Sequence, residues 1–194
     1  LIFLKSFFSE ITIVSSPFNS SFSKLSSLKK PNKHIAVFHH KDQVLQKQNF
    51  YLVFDRINDP GNLGTIIRTC HWFGVDQIIC SVDSVDCYNS KVVQSSMGSL
   101  SKVNVVYTDL IKFIKTTNKK IIGTSLNSKS ISDYSFKNFD GIIVFGSESN
   151  GISREIKREI NDYISIPKTA SNSTAESLNL SISVAIFLSK IRGI

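Results

Sequence analysis

Residues 50–68, Phe50-Tyr51-Leu52-Val53-Phe54-Asp55-Arg56-Ile57-Asn58-Asp59-Pro60-Gly61-Asn62-Leu63-Gly64-Thr65-Ile66-Ile67-Arg68, decide how the chain reads. The run 50–54 is a short β-rich strand, and Asp-Pro-Gly at 59–61 is strong turn chemistry. Asn62 is placed to cap a helix over 63–73, whose apolar positions are Leu63, Ile66, Ile67, Cys70 and Phe73. Strand, tight polar turn and helix N-terminus together make an anion- or substrate-binding corner in α/β proteins. Arg68 sits one turn into that helix, beside the corner. An arginine so placed points to work on a phosphate or on a developing negative charge.

The corner recurs. Gly141-Ile142-Ile143-Val144-Phe145 reads as a buried strand, followed by the glycine-bounded loop Gly146-Ser147-Glu148-Ser149-Asn150-Gly151 and a helix over 154–160 that Ser153 can cap. Tyr163-Ile164-Ser165-Ile166-Pro167 is a strand stopped by proline. A polar loop, 168–175, then leads to Glu176-Ser177-Leu178-Asn179 and a long apolar helix expected over 175–191. Its core face is expected to hold Leu178, Ile182, Ala185, Ile186 and Ile191. Further strands are expected at 77–81, 103–107 and 120–124, with helices at 90–97 and 109–116. This alternation is that of a parallel α/β sheet flanked by helices.

DPGNLGTIIRT, FGSESNGIS and ISIP…ESLNLSISVA, in that order, resemble the three motifs of the SpoU (TrmH-like) family of RNA ribose methyltransferases. The resemblance runs from Asn49 to the C-terminus, and three motifs in order are far more specific than one. It implies the knotted α/β (SPOUT) fold, with a deep trefoil knot in the C-terminal part. It also implies S-adenosylmethionine as methyl donor, ribosomal or transfer RNA as substrate, and a homodimer. By the same likeness Gly146, Ile166 and Leu178 match cofactor-holding positions, with Thr124, Leu126 and Asn179 as further cofactor contacts. Arg68 matches the residue implicated in activating the ribose hydroxyl, and Asn62, Glu148, Ser177 and Asn179 complete the catalytic set.

Each of these residues also has a plainer reading. Asn62, Ser177 and Asn179 suit helix capping. Arg68 suits a structural ion pair, and Glu148 an exposed loop carboxylate. A carboxylate directly after a buried strand needs a partner, however, and Arg68 or Asn62 would supply one. The function read from the chain is therefore RNA 2′-O-methylation, with a catalytically inactive RNA-binding relic of the same fold as the alternative.

Other chemistries lack their residues. The 146–151 loop has phosphate-loop glycine spacing, but Ile152-Ser153 stands where Lys-Ser/Thr is required. There is no G-x-G-x-x-G after a strand, and Glu148 occupies the serine position of a hydrolase elbow. Cys70, Cys80 and Cys87 lack C-x-x-C spacing, so no metal site is assigned; three unpaired cysteines suit a reducing cytoplasm. Trp72 is expected in the core or on a dimer surface. No apolar run approaches the ~18 residues of a membrane span.

The 194-residue chain carries a net charge of +8, unevenly spread. Residues 1–49 hold seven Lys against Glu10 and Asp42, a balance of +5, which leaves +3 for the remainder. A basic arm ahead of a nearly neutral catalytic body fits an RNA-contacting surface. Residues 1–45 read as a truncated or remnant substrate-binding region similar to ribosomal protein L30, with a strand at 35–38 and a linker near 41–49. Residues 46–194 read as the methyltransferase domain.

Overall fold

The computed structural model of the chain describes residues 11–15, 34–38, 43–169 and 174–194. The chain divides into two units, Leu1–Asp42 and Gln43–Ile194. In the first, β1 (Ile11–Ser15) pairs antiparallel with β2 (His34–Phe38), the strand expected at 35–38. The rest of the region read as a substrate-binding remnant, residues 1–10, 16–33 and 39–42, lies outside the described residues.

The second unit runs β3 (Phe50–Phe54), α1 (Pro60–Trp72), β4 (Gln77–Ser81), α2 (Ser90–Ser95), β5 (Asn104–Thr108) and α3 (Leu110–Lys115). It continues with β6 (Lys120–Ser130), β7 (Gly141–Phe145), α4 (Arg154–Lys157), β8 (Asp162–Ser165) and α5 (Leu180–Arg192). Its six strands form one sheet in the order β5-β4-β3-β7-β6-β8, and every neighbouring pair is parallel. This order is consistent with the knotted fold that the sequence motifs imply. The first three strands step outward from β3, then the chain crosses to the other side of it and places β7 against β3. Ligands of such sheets bind where the order reverses, outside the carboxyl ends of the strands.

Two-sided burial explains why these strands read as unbroken apolar runs. Leu52, Phe54, Ile143 and Phe145 face one core, which α1, α2 and α5 cover with Leu63, Ile66, Ile67, Val92, Val184 and Phe187. Tyr51, Val53, Ile142 and Val144 face the second core, closed by Leu110 and Phe113 of α3 and Ile156 of α4. Phe145 joins three elements: it stacks on Phe54 of β3 at 5.4 Å and meets Phe187 of α5 edge-on at 5.3 Å. Each such pair adds about 0.5–1.5 kcal/mol beyond area burial. Gly64 lets α1 and α2 touch, since a methyl group there would come within 1.9 Å of Ser95 Oγ and 2.7 Å of the Val92 carbonyl oxygen.

Several expectations change. The last helix starts at Leu180, where Asn179 caps it, and not at 175, and α4 ends at Lys157, short of 160. The stripe that α5 buries is Leu180, Ser181, Val184, Phe187 and Leu188, whereas Leu178 and Ile182 are exposed and Ile186 and Ile191 only flank the core. A helix apolar on nearly every side supports two stripes by spacing alone, and packing on α1 selects one. Strand β6 extends to Ser130, because residues 125–128 loop out between Thr124 and Lys129, which both pair with Ile164. The segment 43–48 is tied down rather than a free linker. Gln46 exchanges two hydrogen bonds with the Gln77 side chain, and the Asn104 amide donates to the Val44 carbonyl at 2.9 Å.

Candidate active site

The three corners meet at the carboxyl ends of β3, β7 and β8. At the first, Pro60 takes the opening position of α1, where its missing N–H costs nothing, and this puts Asp59 at the cap. The Asp59 carboxylate accepts from the Asn62 backbone N–H at 2.7 Å. Asn62 is therefore not the cap expected of it. It lies inside the first turn with its side-chain amide free for other partners.

That amide connects the corners. Asn62 Nδ2 donates to Glu148 Oε1 of the second corner, and Asn179 Nδ2 of the third donates to Asn62 Oδ1 at 2.9 Å. Asn179 is the cap of α5: its Oδ1 accepts from the Ser181 backbone N–H at 2.9 Å and from Ser181 Oγ at 2.6 Å. A directed chain thus runs from buried Ser181 through Asn179 and Asn62 to a carboxylate, across residues 86 and 117 positions apart in sequence. The partner that Glu148 requires is Asn62.

Arg68 is elsewhere on the same helix. It lies in the third turn, eight residues after Pro60, not in the turn beside the corner. Six residues separate it from Asn62, which turns its side chain about 120° round the axis and moves it roughly 9 Å along it. It is exposed, and among the described residues its guanidinium has no hydrogen-bond or ion-pair partner. Trp72, one turn further on, is 86% exposed and so not part of the core.

The second corner is a tight loop. Ser147 and Gly151 exchange backbone hydrogen bonds of 2.9 and 3.2 Å, and Gly151 has φ +61°. A methyl group on Gly146 would come within 2.1 Å of the Gly151 carbonyl carbon and 2.3 Å of the Ile152 nitrogen, so only glycine fits. Glu148 stands exposed at the tip. Ser153 begins α4 without a side-chain cap bond; its backbone N–H donates instead to Asp55 Oδ2 at 2.6 Å.

The proposed cofactor positions line the neighbouring strand ends. Thr124 Oγ1 donates to the Val144 carbonyl at 3.2 Å, and Ile166 is half-buried against the core. Leu126, on the β6 excursion, is 63% exposed and Leu178 49%. Ser177 is exposed one residue earlier. Ser128 Oγ is buried with no hydrogen-bond partner among the described residues, while the Ser128 carbonyl accepts from Ser165 Oγ at 2.9 Å. The side-chain-free backbone at Gly146 and the exposed leucines fit a flat ring held by main-chain groups and apolar contact, as adenine is. Ser128 and Asp55 carried no signal of their own in the sequence, one standing in a serine-rich strand and the other inside a turn.

Rival sites are poorer. A hollow of about 700 Å³ lined by Lys47, Phe50, Asp76, Phe139, Asp140 and Arg192 opens at the amino ends of β3 and β7, away from the three corners. Among the described residues no group of His, Cys, Asp and Glu is arranged to hold a metal, and no helix is long and apolar enough to cross a membrane. Cys70, Cys80 and Cys87 are all free and buried. Burial raises each thiol, that of Cys87 up to about 11. None is a nucleophile near neutral pH.

A parallel sheet with three polar loops joined at its carboxyl edge is the architecture of an α/β protein that takes its ligand at that edge. Residues 49–189 match the model of the SpoU rRNA Methylase family, and the chain belongs to that family. It is 28% identical over 178 residues to the 23S rRNA (guanosine(2553)-2′-O)-methyltransferase RlmP of Bacillus subtilis, covering 89% of this chain and 70% of that protein. It is 37% identical over 142 residues to the 23S rRNA (guanosine-2′-O-)-methyltransferase RlmB of Blochmanniella floridana, covering 71% of this chain but 54% of that one. The chain thus spans little more than half the length of some curated relatives. An AdoMet-bound rRNA methyltransferase from Sinorhizobium meliloti superimposes with a TM-score of 0.80 at 26% identity, over 91% of this chain and 70% of that one.

Proposed function

We propose that this chain transfers a methyl group from S-adenosylmethionine to a ribose 2′-hydroxyl of ribosomal or transfer RNA. The observation that carries the reading is the hydrogen-bonded chain Asn179–Asn62–Glu148, which joins all three motifs at one sheet edge. S-adenosylmethionine, when bound, would supply an electrophilic methyl on a sulfonium. Gly146, Ile166, Leu178, Thr124, Leu126 and Asn179 would hold it, chiefly through backbone groups and apolar contact.

Transfer of that methyl to the ribose oxygen would be an in-line displacement that releases the cofactor's sulfur as a neutral thioether, so orientation is the main requirement. Asn62, fixed at both ends of its amide, and Asn179 and Ser177 beside it place the sugar. Glu148 fixes Asn62. Arg68 is always protonated and cannot serve as a free base. Standing roughly 9 Å along α1 from Asn62, it acts across the dimer contact: the Arg68 of one copy clamps the phosphate next to the ribose held by the other and stabilises alkoxide character on the 2′-oxygen, while a phosphate oxygen or water takes the proton.

Arg68 and Trp72 share the open face of α1. We place the homodimer contact on this face, so that pairing encloses Arg68 and brings it to bear on RNA. The protein works in the cytoplasm, with residues 1–45 as the RNA-contacting arm and 46–194 as the catalytic domain. Arg68→Ala tests the assignment. Methylation of a ribosomal RNA transcript should be abolished while titration calorimetry gives nearly unchanged S-adenosylmethionine affinity. Loss of cofactor binding would refute the role given to Arg68. A wild-type chain that binds RNA but gives no heat with the cofactor would be the inactive relic. Light scattering should report a dimer that Trp72→Glu converts to monomer; a wild-type monomer would remove the dimer proposal.

A further inference from the structure

Directly after β3, Asp55 and Arg56 make contacts that none of the three motifs explains. Asp55 is a carboxylate only 3% exposed. Its backbone N–H donates to the Phe145 carbonyl at 2.9 Å, which sets it beside the end of β7. Its Oδ2 accepts from the Ser153 N–H at 2.6 Å, and its Oδ1 accepts from Arg56 Nε at 3.2 Å. Arg56 Nη2 reaches on to the Gly151 carbonyl at 3.5 Å. The Arg56 backbone has φ +58°, a conformation that favours glycine. It is held there because its N–H donates to Ser81 Oγ at 2.8 Å and the Ile57 N–H donates to Ser84 Oγ at 3.2 Å.

We infer that Asp55 and Arg56 form a latch that fixes the 146–153 loop, and with it Glu148, where Glu148 meets Asn62. The catalytic consequence rests on the function proposed above. The loop is closed on itself by the Ser147–Gly151 pair, but residues 148–151 are exposed, so its position against the rest of the domain depends on a few contacts. Its base is pinned through Ser153 and Gly151, and its tip through Asn62. A buried carboxylate demands these partners, because ionised Asp55 without them would be uncompensated. Gly146 lies between β7 and the pinned residues, so the latch also sets the cofactor edge of the crevice. Asp55 and Arg56 are therefore positioning residues for methyl transfer.

Arg56→Gly separates this role from general stability. Glycine adopts φ +58° without strain, so the variant deletes the guanidinium and keeps the backbone. Asp55 keeps the Ser153 N–H but loses its ion pair with Arg56, so the melting temperature should fall, with the chain still folded by far-ultraviolet dichroism at the assay temperature. Amide exchange at Gly151 and Ser153 should rise about tenfold as the loop opens locally. The kcat for methylation of a ribosomal RNA transcript should fall about 10- to 100-fold, the scale expected of a displacement near 1 Å. Arg56→Lys restores the charge but not the fork and should fall between. Unchanged exchange at Gly151 and Ser153 overturns the latch, as does faster exchange with undiminished kcat. A wild-type chain without methylation, in which Arg56→Gly still opens the loop, would keep the latch and reject only the methyltransferase reading.

Discussion

Removing the Asn62 amide should cost catalysis far more than folding, and most of that cost should vanish once Glu148 is already gone. Asn62 donates one hydrogen bond to a carboxylate and accepts one from the neutral Asn179 amide. Bonds to charged groups contribute about 1.5–3 kcal/mol and neutral ones about 0.5–1.5. Both outer partners are solvent-exposed, which pulls each bond to the low end of its range. A sum near 2 kcal/mol, realised in the transition state, corresponds to roughly a 30-fold fall in kcat. Asn62→Ala should give a loss of that order and Glu148→Ala, which removes only the charged bond, roughly a tenfold one; the double variant should lose no more than Asn62→Ala alone. The assay is transfer of tritiated methyl to ribosomal RNA at saturating cofactor, with circular dichroism to confirm folding. Losses that simply multiply in the double variant would show that the two residues act separately, and the three-corner account would fail.

Other outcomes follow from the same geometry. Gly146→Ala has to push its methyl into the Gly151–Ile152 backbone, so cofactor affinity should drop at least about tenfold by calorimetry with far-ultraviolet dichroism preserved. Phe145→Ala leaves a cavity where three elements meet; about 3–5 kcal/mol of stability should go, lowering the melting temperature by roughly 6–20 °C. At pH 8 the three cysteines should ignore Ellman's reagent until denaturant is added. Burial holds their pKa values above the ordinary thiol range, that of Cys87 near 11, so each stays protonated until far more alkaline pH.

The sheet was legible because its strands are short and buried on both faces. Phe50–Phe54 and Gln77–Ser81 carry enough apolar and β-branched residues, bounded by polar turns, to be set to the residue. Helix faces were less legible. α5 is apolar on almost every side, and only its packing on α1 shows that Val184 and Phe187 go inward while Ile182 does not. The start of α1 misled for a chemical reason: both Asp59 and Asn62 are good caps, and proline at position 60 decides between them. That decision matters, because it releases the Asn62 side chain to bridge Glu148 and Asn179. The bridge itself spans 86 and 117 residues of sequence, and no local pattern encodes a pairing over such distances. Arg68 was visible as a residue, but its place on the open face of α1 follows from where the helix begins.

Nucleoside mass spectrometry is the most direct test of methyl transfer to ribose. The full chain, incubated with S-adenosylmethionine and unmodified ribosomal or transfer RNA, should yield a nucleoside bearing the new methyl on its ribose 2′-oxygen. A methyl found on a base, or no methylated nucleoside from either RNA, would contradict the account.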